Sequence, residues 1–151
     1  MKIVEIFETI YNVYADIEDS DKYLNAMFGS NWNELSEEDK AKLLVSATRS
    51  IDKGQWKGVK LNEEQALEFP RFIAGKQTDE DVLMRACCEE AYAIYKSGTS
   101  QYSNTDGIKT MRVQDTEITF KDSAQDTLFK SNVAEELLKR YMNTGVSVIF
   151  W

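Results

Sequence analysis

No histidine occurs among the 151 residues, which removes the commonest general base and the commonest metal ligand together. Proline occurs once and glycine seven times, few for a loop-rich β-sandwich, so the composition leans helical. The two cysteines, Cys87 and Cys88, are neighbours. Disulfide geometry needs Cα atoms further apart than one peptide step, so both are expected as reduced thiols in an intracellular-type setting. No stretch reaches the roughly 18 to 20 apolar residues that a membrane span requires, so no membrane partner is expected. The start, Met1–Glu8, carries acids inside its apolar run and does not read as a signal peptide. The scattered glycines form neither phosphate-binding fingerprint.

What is present describes one folded domain. A hydrophobic content of 42% suffices for a core, and 29% charged residues place the chain among folded proteins. Eighteen basic residues against 26 acidic ones give −8, which argues against coating duplex DNA through bulk electrostatics. No internal repeat or low-complexity tract divides the chain.

Periodicity and capping signals give a mainly α reading. Ile3, Ile6, Phe7, Ile10, Tyr11 and Tyr14 recur at helical steps and suggest a short amphipathic helix, with their β-branched content keeping a strand open. Asp16 or Ser20 caps a second short helix that ends at Gly29. Ser36, followed by Glu37, Glu38 and Asp39, opens the clearest helix, with Ala41, Leu44, Ala47, Thr48 and Ile51 on one face and Gly54 as its stop. Asn62–Gln65 repeats the capping pattern for a short helix that Pro70 ends. Thr78–Asp81 starts a long helix that closes at Gly98, and its apolar residues spread over more than half the circumference, the mark of a central helix. Residues 99–107 read as a mobile loop and 108–120 as a β-hairpin. A last helix, capped by Asn132, runs towards Gly145. The fold class expected is therefore a small helical bundle, residues 1–145, with a hairpin at about 108–120 and an extended apolar C-terminal arm, 146–151.

Catalytic templates find little to work with. Cys87 and Cys88 lack a histidine partner and read as small hydrophobes on a buried helix face. Asp115, Glu117, Asp122 and Asp126 do not reproduce the calcium-loop spacing. The pairs Glu37–Glu38, Glu63–Glu64 and Glu135–Glu136 sit in first helical turns, where the macrodipole accounts for them. The expectation is a protein that is not an enzyme and takes no metal or cofactor.

Two features call for partners. Residues 1–40 hold ten acids against three bases, whereas 41–60 hold one acid against five bases. Lys42, Arg49 and Lys53 share a helical stripe, with Trp56, Lys57 and Lys60 beyond and Arg71 further on. A basic groove with an aromatic platform suits single-stranded nucleic acid; the alternative is a solvated helix face with Trp56 in the core. The second feature is the apolar end, Val146, Val148, Ile149, Phe150 and Trp151, which either folds back as an edge strand or docks on another chain.

The strings Asp21–Leu24, Trp32, Leu43–Asp52 (with Ala47-Thr48-Arg49-Ser50-Ile51-Asp52), Trp56-Lys57-Gly58, Gln65–Arg71 and Ala86–Ile94 are similar to those of tailed-bacteriophage head–tail connector (adaptor) proteins. Many of these carry the description DnaT-like single-stranded-DNA-binding protein. The likeness spans about residues 12–120, and its motifs are structural rather than catalytic. It implies a structural virion protein at the head–tail interface: a homo-oligomeric ring, commonly a dodecamer, that joins the portal protein to the stopper or tail-completion protein. DNA would pass through the lumen without sequence-specific binding, and the terminal arm, 146–151, would dock on the portal. The alternative is a single-stranded-DNA-binding accessory protein using Lys42, Arg49, Lys53, Trp56, Lys57, Lys60 and Arg71.

Overall fold

The computed structural model describes residues 2–98 and 128–143. The expectation of a mainly α bundle does not hold: among the described residues, four α-helices are combined with two small antiparallel sheets. The loop at 99–107, the hairpin at 108–120 and the arm at 146–151 lie outside the described residues.

The first correction is at the start of the chain. Residues read as an amphipathic helix form two antiparallel strands, β1 (Lys2–Ile6) and β2 (Thr9–Val13), paired from Lys2↔Val13 to Ile6↔Thr9. Strand alternation accounts for the apolar pattern: Val4, Ile6, Tyr11 and Val13 face the core, while Ile3 and Ile10 face outward. The two-residue loop, Phe7–Glu8, has φ values of 50° and 67°, the positive pair of a type I′ turn. Asn-Gly is the usual dipeptide for that turn, so Phe-Glu gave no turn signal.

Helix α1 (Ile17–Leu24) begins at Asp16, whose carboxylate accepts from the Asp19 amide while the Asp19 carboxylate accepts from the Asp16 amide. Helix α2 (Glu37–Asp52) starts at Ser36 and buries the expected face, Ala41, Leu44, Ala47, Thr48 and Ile51. Asn62–Gln65 is a turn, not a helix. Gln65 uses its side-chain amide to donate to the carbonyls of Leu67 and Pro70, both at 2.9 Å, so the chain is held open where helical hydrogen bonds would have closed it.

A second sheet follows, β3 (Val59–Lys60), β4 (Arg71–Ile73) and β5 (Lys76–Gln77), in that order. Gly58 precedes it with φ 73°, and a Cβ there would stand 2.2 Å from the Phe72 carbonyl oxygen, so glycine alone fits. Helix α3 (Glu80–Ser97), capped by Asp79 and closed by Gly98 at φ 82°, is the central element and packs against α1, α2 and α4 (Asn132–Leu138). Cys87 and Cys88 are buried, free thiols; burial pushes Cys87 up to about 11 and Cys88 higher still, so neither is primed as a nucleophile. The cap of α4 is Ser131 rather than Asn132, and its hydroxyl accepts from the Ala134 amide at 3.0 Å. α4 gives way at Lys139–Tyr141 to a 3-10 turn, short of Gly145.

Two non-glycine residues in the left-handed region cost stability that turn-adapted residues avoid. Replacing Phe7–Glu8 by Asn-Gly is expected to raise stability by about 1 kcal/mol, net of the lost cation–π contact between Lys42 Nζ and the Phe7 ring at 5.4 Å. Thermal denaturation reads the change; a lower midpoint would contradict the turn.

Candidate nucleic-acid interface

The residues named from sequence divide by direction. Lys42, Arg49 and Lys53 lie exposed on and just after α2, and Lys42 pairs with Glu38 at 2.9 Å. Trp56 turns the other way. It is 6% exposed, its ring meets Phe69 edge-on at 5.0 Å, and its Nε1 donates to the Ile51 carbonyl at 2.9 Å. A ring so enclosed offers no face for stacking, and its place is the core. Arg71 is also buried: it donates to the carbonyls of Lys57 and Gly58, each at 2.8 Å, and to the Glu68 carboxylate at 2.7 Å. Its guanidinium fastens the entry of β3 to the entry of β4. Lys57 stays exposed and Lys60 is half-exposed. The tail residues Val146, Val148, Ile149, Phe150 and Trp151 lie outside the described residues.

The structure adds residues that sequence reasoning missed. Trp56 and Met142 form an antiparallel bridge, flanked by hydrogen bonds of 2.9 Å from the Lys57 amide to the Tyr141 carbonyl and from the Asn143 amide to the Gln55 carbonyl. Exposed Lys139 and Arg140, in the turn after α4, thereby belong to a segment joined to residues 55–57; Lys139 lies 3.9 Å from Glu136, and Arg140 lies over the Tyr141 ring at 5.9 Å. The outer face of the second sheet carries the aromatic that Trp56 does not provide. Phe72, 46% exposed, pairs across strands with Val59, 63% exposed, and with Gln77, while Lys76 lies next to Gln77 on β5. A three-residue strand is too short for alternation to announce it, and no sequence signal ties residues 139–142 to 55–57.

A buried node supports this sheet from behind. The Tyr14 hydroxyl donates to the Asp52 carboxylate and accepts from the Phe69 amide at 3.0 Å, while Asp52 also accepts from the Glu68 amide at 3.2 Å. Burial pushes the Tyr14 phenol above its ordinary range, and Asp52 adds to that shift. Burial likewise raises the Asp52 carboxyl, partly offset by its hydrogen bonds from Tyr14 and Glu68. The node fixes residues 68–69, and hence where β4 begins.

Among the described residues, no group of three or more histidine, cysteine, aspartate or glutamate side chains could hold a metal ion, and no helix is long and apolar enough to cross a membrane. What the surface offers is cations beside an exposed aromatic ring. The family described as "Putative DnaT-like ssDNA binding protein" matches residues 6–150. The chain belongs to this family. No curated protein and no solved structure matches it. The match gives the head–tail connector expectation no support, whether for portal, stopper or ring.

The raised Asp52 carboxyl sets a pH dependence. A carboxyl whose folded pKa exceeds its unfolded value stabilises the fold below the unfolded value, near 4, and loses that contribution as pH rises through the folded value. Asp52→Asn keeps an oxygen to accept from Tyr14 and Glu68 and cannot ionise. Relative to wild type, the variant is expected to gain stability as pH rises from about 4 to 7. Urea titrations at several pH values read the difference, and a difference that shrinks over this range would refute it.

Proposed function

We propose that this protein is a non-enzymatic, single-stranded-DNA-binding accessory protein. The observation that carries the proposal is the bridge at Trp56 and Met142, which joins the segment bearing exposed Lys139 and Arg140 to the one bearing exposed Lys57, just before a sheet whose outer face carries Phe72. The exposed lysines and arginine neutralise phosphates, and the Phe72 ring accepts a base face whatever its sequence. Membership of the DnaT-like family supports the same reading. Lys60 and Lys76 extend the cationic rim of that sheet, whereas Trp56 and Arg71 act from within by holding it.

Fluorescence anisotropy with a mixed-sequence single strand and a duplex of equal length tests the proposal. Binding to the single strand is expected at low salt, with a log–log salt slope of about −3 for about four phosphate contacts. Combined Lys57→Ala, Lys139→Ala and Arg140→Ala is expected to weaken binding and flatten the slope. Phe72→Ala should cost about 1 to 3 kcal/mol with the slope unchanged. Equal affinity for the duplex, or no binding at low salt, overturns the proposal. In that event, ring-sized particles with a portal protein would favour the connector reading instead.

A further inference from the structure

A cleft of about 250 Å3 opens between the end of β2, the 65–70 loop and the start of α3. Tyr14, Leu67, Phe69, Pro70 and Leu83 give it apolar walls, and it is smaller than the pockets that take drug-sized ligands but has room for one planar ring. Its polar lining is nearly spent internally. Both donors of the Gln65 amide go to backbone carbonyls, and the Thr78 hydroxyl accepts from the Arg71 amide at 3.0 Å. Two charged groups remain at the mouth, Lys2 and Glu80. The Lys2 ammonium pairs with Asp19 at 2.6 Å but has three donors, and the exposed Glu80 carboxylate is near enough to act on it electrostatically.

The cleft adjoins the proposed interface. The Leu61 amide donates to the Pro70 carbonyl at 3.1 Å, so the β3–β4 pairing continues one step beyond β4. Pro70 and Phe72, two positions apart in extended chain, therefore share a side of the strand. One lines the cleft and the other is the exposed ring.

We infer that this cleft receives one unpaired nucleobase bearing an exocyclic amino group, from the same strand that stacks on Phe72. This rests on the single-stranded-DNA reading above. A flat heterocycle suits a narrow cleft with apolar walls, and a base enters only when it is free of a stack and a partner. At the mouth, the Glu80 carboxylate accepts from the amino group while the Lys2 ammonium donates to a neighbouring ring nitrogen or carbonyl oxygen. Cytosine presents that pairing; thymine, which has no amino group, leaves Glu80 unmatched.

The test compares oligo-dC with oligo-dT, and each with an oligonucleotide carrying abasic sites, by anisotropy on the full chain. Oligo-dC is expected to bind about fivefold or more tightly than oligo-dT, and abasic sites to weaken binding. Glu80→Ala, an exposed change, should remove the dC preference. Leu67→Trp, which fills the cleft, should make intact and abasic strands more nearly equal. Phe72→Ala should weaken dC and dT alike. Equal affinity for dC and dT, or a preference that survives Glu80→Ala, overturns the cleft assignment while leaving single-strand binding in place. Loss of all single-strand binding by wild type overturns both.

Discussion

The docking of residues 128–143 on α3 depends on one buried carboxylate. Glu90 is fully enclosed on the core side of α3 and accepts hydrogen bonds from the Lys130 amide at 3.0 and 3.1 Å and the Ser131 amide at 3.0 Å. Burial raises its carboxyl above the ordinary range, and the two amides draw it part of the way back. Without those donors, an uncompensated acid would stand in the core at a cost of several kcal/mol. Residues 128–143 therefore dock where they do because Glu90 needs them. Once Ser131 is fixed, it caps α4, and α4 delivers Tyr141 to a ring contact with Phe69 at 5.8 Å and a hydrogen bond from the Asp79 amide at 3.1 Å. The pairing of residues 141–143 with 55–57 follows, and with it the place of Lys139 and Arg140.

This dependence explains what was legible from residues alone. Helices α2 and α3 could be read because their signals are local: Ser36 and Asp79 cap them, apolar residues recur on one face, and Gly98 closes α3. The first hairpin could not, because Phe7–Glu8 lacks turn chemistry and its apolar spacing also satisfies a helix. The 62–67 turn misled because Asn62 and Gln65 do make reciprocal capping-type bonds, from the Asn62 amide to Gln65 and from the Glu64 amide to Asn62, without a helix behind them. The decisive competitor was the Gln65 amide itself, spent on Leu67 and Pro70.

The site shows the same division. Lys57 and Lys60 were legible as a basic stretch, but composition carries no direction. The bridge at residue 56 alternates its neighbours, sending the indole inward to Phe69 and leaving Lys57 exposed. The aromatic that faces solvent, Phe72, sits between the inward Arg71 and the half-buried Ile73 in a strand too short for periodicity to reveal. Lys139 and Arg140 become part of the surface only through contacts across more than eighty positions, which no local pattern encodes.

A net charge of −8 does not weigh against a small cationic surface, because many of the acids cluster at helix starts and are partly matched, although Glu80 lines the cleft and Glu136 lies 3.9 Å from Lys139. Asp16, Asp19, Glu37–Asp39 and Asp79–Asp81 cluster at the starts of α1, α2 and α3, where the helix dipoles favour them. Lys2 pairs with Asp19, and the nearly buried Lys40 with Asp21 at 2.8 Å. Screening confines each exposed charge to about 8 to 10 Å at physiological salt, so the field at Phe72 is set by its lysine neighbours rather than by the total. The total still matters at longer range. A stiff duplex lying across so small a patch would carry further phosphates over acidic surface, whereas a flexible single strand can follow the patch and turn away. On the proposed reading, the same charge that argues against coating duplex DNA favours a short, unpaired segment whose bases are free to reach Phe72.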